Sequence, residues 1–212
     1  LTPDSISAWR AHELPDGSAV LFQIGAGDEE PLALIELETN EIHQLGLTGS
    51  NPIYAHSGHI VFGHNAQVVM AAPFDLATQT VTGDAVTVLT DVMVYGGGAT
   101  QFAVSNNGTI VFGQTAGSFD QTAQFEIVDL EGQGTVLPFR ALQFHDPRFS
   151  PDGSRVAYEG LRGIGVYDLD TGENLQLTTG GEVPIGSGDG QSIYLGGTGG
   201  AGGDETVLQV PA

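Results

Sequence analysis

One unit, a tight turn followed by a short strand, recurs five times along this chain and confines it to a repeat architecture. The copies are Leu14-Pro15-Asp16-Gly17 with Ala19-Val20-Leu21-Phe22, Ala55-His56-Ser57-Gly58 with Ile60-Val61-Phe62, Ser105-Asn106-Asn107-Gly108 with Ile110-Val111-Phe112, Ser150-Pro151-Asp152-Gly153 with Val156-Ala157-Tyr158, and Gly188-Asp189-Gly190 with Ile193-Tyr194. Their last glycines stand 41, 50, 45 and 37 residues apart. Asp-Gly and Asn-Gly supply the positive φ that a tight hairpin needs. The β-branched and aromatic run that follows is strand chemistry.

A second strand-and-turn follows each of the first four copies: Ile35 to Asn40, Pro73 to Thr78, Ile127 to Gly132 and Val166 to Gly172. A short apolar strand comes next each time, at Ile42 to Leu45, Val86 to Leu89, Val136 to Leu137 and Leu175 to Leu177. About four strands per repeat is the blade of a β-propeller. The expected fold is therefore all-β: four-stranded antiparallel blades, five of them, in one domain over 1–212. The blades fall near 8–50, 51–92, 93–140, 141–181 and 182–212. A β-sandwich is the rival, but it does not require the same order of elements four times over. No segment keeps a 3.6-residue apolar period, so almost no helix is expected.

Composition narrows the partners. The chain has 212 residues, no cysteine and a formal charge of −21. Its five basic residues are all arginine: Arg10, Arg140, Arg148, Arg155 and Arg162. Such a chain repels a phosphate backbone, so no nucleic acid is expected as partner. A salty medium, which screens acidic self-repulsion, suits this composition; drift in a GC-rich genome accounts for it equally well. Disulfides and cysteine-bound metals are excluded. No apolar run is long enough to span a bilayer, so no membrane insertion is expected. Thirty-two glycines beside 40% hydrophobic residues fit short strands joined by tight turns rather than disorder.

The run Pro147-Arg148-Phe149-Ser150-Pro151-Asp152-Gly153-Ser154-Arg155-Val156-Ala157-Tyr158, continued by Ile164 to Gly172, resembles one repeat of the TolB-like, WD-related propeller family. Weaker copies of its proline-to-glycine spacing stand at Pro52 to Gly58 and Pro184 to Gly190. A narrower resemblance, to propellers attached to bacterial receptor-type serine/threonine kinases, rests on Ser57 to Phe62, Ala72 to Leu76, Val81 to Asp84 and Gly96 to Ser105. These resemblances imply a propeller that binds and does not catalyse, in the periplasm or otherwise outside the cytoplasm. They name no ligand. The chain departs from the pattern at Glu13, which stands where the best repeat has Phe149, and at Asn106-Asn107, which replaces Pro-Asp.

The fifth repeat stops at Ala212 after its third strand, Val207 to Val210. Residues 1–7 are a candidate fourth strand that would close the ring, since open sheet edges are liabilities. The alternative is a slice of a larger propeller of six to eight blades.

Few motifs carry chemistry. Gly197 to Gly202 matches a dinucleotide fingerprint, but no helix-forming stretch follows, so a loop is expected there. His56, His59 and His64 lack a companion carboxylate at metal-site spacing and read as turn residues. Asp168 to Asn174 lacks the full calcium-loop pattern and reads as a hairpin. No G-x-S-x-G nucleophile elbow occurs. No cofactor, metal or catalytic residue is therefore assigned. The loops feeding the innermost strands would ring one channel mouth, where Trp9, Arg10, Asn51, Tyr54, Gln101, His145 and Arg148 are the candidate ligand-binding residues. Trp, Tyr and Arg are the types enriched at binding hot spots; packing of Trp9 and Tyr54 between blades is the competing explanation. The reading is a monomeric binding or scaffold propeller for a protein, peptide or small ligand. The alternative is the propeller portion of a hydrolase or lyase with a polar site at the channel mouth.

Overall fold

The computed structural model describes residues 6–27, 29–64, 67–95, 99–114, 122–129, 132–142, 144–199 and 204–212, none of them helical. They form strands in two compact units, Leu1–Thr100 and Gln101–Ala212.

The first unit is built on β1 (Ala8–Glu13), β2 (Ala19–Ile24), β3 (Glu30–Glu36), β4 (Ile42–Ala55), β5 (His59–His64), β6 (Val68–Asp75), β7 (Thr80–Val81) and β8 (Val86–Leu89). Their order is β1-β2-β3-β4-β5-β6-β7, with β8 also on β6. The 14-residue β4 belongs to two blades: Ile42–Gly49 pairs with β3, and Ser50–Ala55 pairs with β5. The small pair β9 (Val94–Tyr95) and β10 (Ala99–Thr100) completes this unit.

Among the described residues the second unit holds three sheets. One is β11 (Phe102–Val104), β12 (Ile110–Gln114), β13 (Thr122–Val128) and β14 (Gly134–Leu142), in chain order. Another is β15 (His145–Phe149), β16 (Arg155–Gly160), β17 (Gly163–Asp168) and β18 (Asn174–Gln176). Among the described residues the last has three strands, β19 (Glu182–Gly186), β20 (Ser192–Gly199) and β21 (Asp204–Pro211). Residues 1–5, most of the candidate closing strand, lie outside the described residues; the Ser7 carbonyl accepts the Gly25 N–H at 2.8 Å.

The five repeated turns have one geometry. Gly17, Gly58, Gly108, Gly153 and Gly190 have φ of 68°, 79°, 88°, 75° and 69°. Each donates its N–H to the carbonyl three residues back, on Leu14, Ala55, Ser105, Ser150 and Ser187, at 2.9–3.0 Å. In four of the five, the residue before the glycine then ties the turn to the strand that follows. Asp16 accepts the Ser18 N–H (3.0 Å), Asn107 the Thr109 N–H (3.2 Å), Asp152 the Ser154 N–H (3.1 Å) and Asp189 the Gln191 N–H (3.0 Å).

Those donors favour the charged carboxyl. The Ser18 hydroxyl and N–H hold Asp16 below its ordinary value, and the Ser187 hydroxyl with the Gln191 N–H does the same for Asp189. The Ser150 hydroxyl, with the Ser154 N–H and hydroxyl, brings Asp152 from 3.8 down to about 2. A depressed folded-state value contributes stability that is complete above the unfolded value and is lost as pH falls through the folded one. The urea midpoint should therefore fall on acidification from pH 3.8 toward about 2, and Asp152→Asn should flatten part of that fall. An unchanged slope in the variant would remove Asp152 from the account.

Apolar alternation builds the cores. In the first unit Leu14, Leu21, Leu32, Leu34, Ile60, Phe62 and Phe74 form one buried cluster, with Leu45, Tyr54 and Met70 packed on it. In the second, Ala157, Ile164 and Val166 meet Ile193 and Leu195. Fully burying a side chain of this kind contributes about 1.5–3 kcal/mol. The aromatic that follows each turn glycine is buried at Phe22, Phe62, Phe112 and Tyr158, while Tyr194, on the three-stranded sheet, is 37% exposed.

The glycine run expected as a loop is partly strand. Gly197 to Gly199 continue β20 and pair with Thr206, Glu205 and Asp204. The ladder with β21 fixes their backbone where local propensity alone predicts freedom. Residues 200–203 lie outside the described residues.

Candidate functional site

The first strand of four blades carries the same irregularity. Arg10, Asn51, Asp146 and Val183 have φ of 54°, 51°, 45° and 49°, and each stands seven residues before its turn glycine. The pairing register shifts beside each of them, in β1, β4, β15 and β19. Such a bulge bends the strand and re-aims the side chains around it. The left-handed region is costly for a side chain, most of all for the β-branched Val183, so something must hold it.

Hydrogen bonds to side chains earlier in the chain do so at three of them, Asn51, Asp146 and Val183. Gln23 Oε1 accepts the Asn51 N–H at 3.2 Å, and Gln23 Nε2 donates to the carbonyls of Gly25 (2.8 Å) and Gly27 (3.1 Å). Gln101 Oε1 accepts the Asp146 N–H at 2.7 Å. Glu159 Oε2 accepts the Val183 N–H at 3.2 Å, and its Oε1 lies 3.5 Å from His145 Nδ1. Gln23 and Gln101 are fully buried. A buried amide left without partners is costly, so these ties hold the bulges in place.

The candidate residues separate by environment. Asn51, Gln101 and His145 are buried, the first two within these ties. Asn51 Nδ2 also reaches the Thr100 carbonyl at 3.5 Å, and Ser50 Oγ lies 3.1 Å from Thr100 Oγ1. Tyr54 packs on the first core, edge-on to Phe74 and to His56 with ring centroids 6.0 Å apart in each case. Arg148 is half-buried and donates to the Pro147 carbonyl at 2.8 Å. Trp9 differs from all of these. It is 48% exposed, with its indole N–H donated to Ser7 Oγ at 2.8 Å, beside half-buried Arg10 on the bulge.

Gln23 and Glu159 were not singled out by sequence. The repeat frame locates them, because both stand six residues after a turn glycine. Gln114 occupies the same offset in the third repeat, where it donates to Glu126.

The weaker motifs resolve into local structure. Asp168 Oδ1 accepts the N–H groups of Asp170 (3.1 Å) and Thr171 (2.8 Å) and the Thr171 hydroxyl (2.9 Å), as a hairpin requires. His59 Nδ1 lies 3.0 Å from the Ser57 carbonyl, and His64 Nδ1 lies 3.1 Å from that of Thr48. Among the described residues no three His, Asp or Glu side chains are grouped to hold a metal ion.

No family model matches this sequence, and comparison with curated proteins finds no relative. Solved structures do resemble it. TolB from Acinetobacter baumannii superposes with a TM-score of 0.72 at 16% identity, over 98% of this chain and 55% of that one. A putative TolB from Agrobacterium tumefaciens gives 0.73 at 14%, over 97% and 77%. An oligogalacturonate lyase in complex with manganese gives 0.65 at 16%, over 99% and 65%. The chain thus spans little more than half the length of the Acinetobacter protein. Identities this low establish fold alone, and the narrower resemblance to kinase-attached propellers gains nothing from them. With antiparallel blades recurring along an all-β chain and these structural likenesses, the chain has the TolB-like β-propeller fold.

Proposed function

We propose that this chain is a binding module that recognises a protein, peptide or small ligand through the exposed Trp9 and its neighbour Arg10. The observation that supports it is the exposure of Trp9, while Asn51, Gln101 and His145 are buried. An indole and a guanidinium on a bulged strand are the residue types that dominate interface energetics. An extracytoplasmic location goes with this reading, supported only by the TolB-like fold.

Trp9 is the chain's single tryptophan and therefore its own reporter. Peptides selected against the folded chain from a random display library should shift its fluorescence on titration. Trp9→Ala should weaken their binding by about 30-fold, the effect of a hot spot of about 2 kcal/mol. Selected ligands that neither perturb the emission nor lose affinity for the variant would defeat this assignment.

The alternative, a catalytic site, has one observation in its favour: the pair formed by buried His145 and half-buried Glu159. Glu159 is also engaged by the Val183 N–H, which gives the pair a holding role without chemistry. Incubation with oligogalacturonate and manganese tests the enzyme reading on the substrate of a structural relative. Turnover that His145→Ala abolishes would replace the binding proposal.

A further inference from the structure

The third repeat is the one whose turn carries Asn-Gly. Asn107 occupies the position held by Asp16, Asp152 and Asp189 in three other repeats. It is exposed, and Gly108 after it has no side chain to shield the backbone nitrogen. Its Oδ1 accepts the Thr109 N–H at 3.2 Å and the Ser105 hydroxyl. These donors match those that serve Asp152, namely the Ser154 N–H at 3.1 Å and the Ser150 hydroxyl at 2.6 Å. The turn is thus equipped for a carboxylate but holds an amide.

We infer that Asn107 is a site of spontaneous deamidation, and that the folded turn accepts the aspartate product and excludes the isoaspartate one. The Gly108 nitrogen attacks Asn107 Cγ. The N–Cγ bond forms, the Cγ–Nδ2 bond breaks, and Nδ2 leaves as ammonia, carrying the proton lost from the Gly108 nitrogen. Water then opens the cyclic imide at one of its two carbonyls. Opening at the backbone carbonyl leaves that carbon as the free carboxyl and routes the chain through the side chain, giving isoaspartate; opening at Cγ gives aspartate. Neither step needs an oxidant or a cofactor.

Two features of the turn set the outcome. The Gly108 N–H is donated to the Ser105 carbonyl at 3.0 Å, so attack requires the turn to open. Once formed, aspartate keeps the Ser105 and Thr109 donors and gains from its charge, because hydrogen bonds to an ionised acceptor are the stronger ones. Isoaspartate inserts a methylene into the main chain between Asn106 and Gly108. The three-residue span closed by the Gly108-to-Ser105 bond then no longer fits.

The full chain is aged at pH 8, folded and in urea, and the 105–109 segment is followed by mass spectrometry with isoaspartate resolved from aspartate. Conversion should be at least about tenfold slower when folded. Asn107→Asp, made directly, should fold with a urea midpoint at pH 7 equal to or above that of the parent chain, and should lose any gain on acidification below the carboxyl range. Urea-aged chains enriched in isoaspartate at 107 should refold with a lower midpoint. Equal folded and unfolded rates, a destabilised Asn107→Asp chain, or isoaspartate chains of parental stability would each overturn the inference. Asn107→Gln, which closes the imide far more slowly, should stop the conversion; persistence of the mass change would place it at another residue.

Discussion

Phe62→Ala is expected to destabilise the first unit by about 3–5 kcal/mol, the range for emptying a buried phenylalanine site. The ring is 2% exposed and lies in the cluster formed by Leu14, Leu21, Leu34, Ile60 and Phe74. Its surroundings cannot collapse inward easily, because they are strands held by ladders on both sides. Gly49 shows how close the packing is: a Cβ there would lie 2.7 Å from the Phe62 ring. Urea unfolding followed by Trp9 fluorescence reads this unit directly, since Trp9 belongs to β1. A loss within about 0.5 kcal/mol, typical of surface substitutions, would mean that Phe62 is not a core residue.

Gly163→Ala should have an effect of similar size in the second unit, for a different reason. Gly160 and Gly163 close a two-residue hairpin between β16 and β17, and Gly163 has a φ of 112°. Holding a side chain in such a region costs about 1–3 kcal/mol. A Cβ there would also meet backbone, 2.5 Å from the Gly180 nitrogen and 2.7 Å from the Thr178 oxygen. Backbone cannot rotate aside as a side chain can, so overpacking adds about 1–3 kcal/mol. The expected total is about 2–6 kcal/mol. Near-ultraviolet circular dichroism of Tyr158 and Tyr167, which belong to β16 and β17, follows the loss. Gly180→Ala is the control, because a Cβ there has open space. It should be neutral or stabilising by up to about 1 kcal/mol. Equal effects at the two glycines would refute the steric argument.

The turns were legible in the sequence because their chemistry is local. Asp16-Gly17, Asn107-Gly108, Asp152-Gly153 and Asp189-Gly190 each satisfy themselves within a few residues, and the strands after them follow. The bulges were not legible. Nothing near Arg10 or Val183 announces a left-handed residue, and the Asn51 tie comes from Gln23, 28 residues away. Long-range hydrogen bonds leave no mark on a local pattern, although a repeat frame makes their donors and acceptors recur at fixed offsets. The candidate site suffered from the same limit. Asn51, on a first strand, and Gln101, just before one, are polar residues that sequence alone reads as ligand contacts, yet much of their hydrogen bonding serves the backbone. Gly197 to Gly199 erred in the opposite direction, since a glycine run has no strand propensity until β21 pairs with it.

The shared strand β4 separates two notions that coincide in most repeat proteins. The repeat that recurs in sequence begins anew near residue 51, but a single strand runs through that point from Ile42 to Ala55, changing partner from β3 to β5 at the bulge beside Asn51. Two ladders therefore share one backbone segment, and a change that loosens β4 in either blade is expected to lower amide protection in both, which hydrogen exchange would read. A cut made at the sequence repeat would not release a blade; it would create two raw strand ends where the intact chain has none.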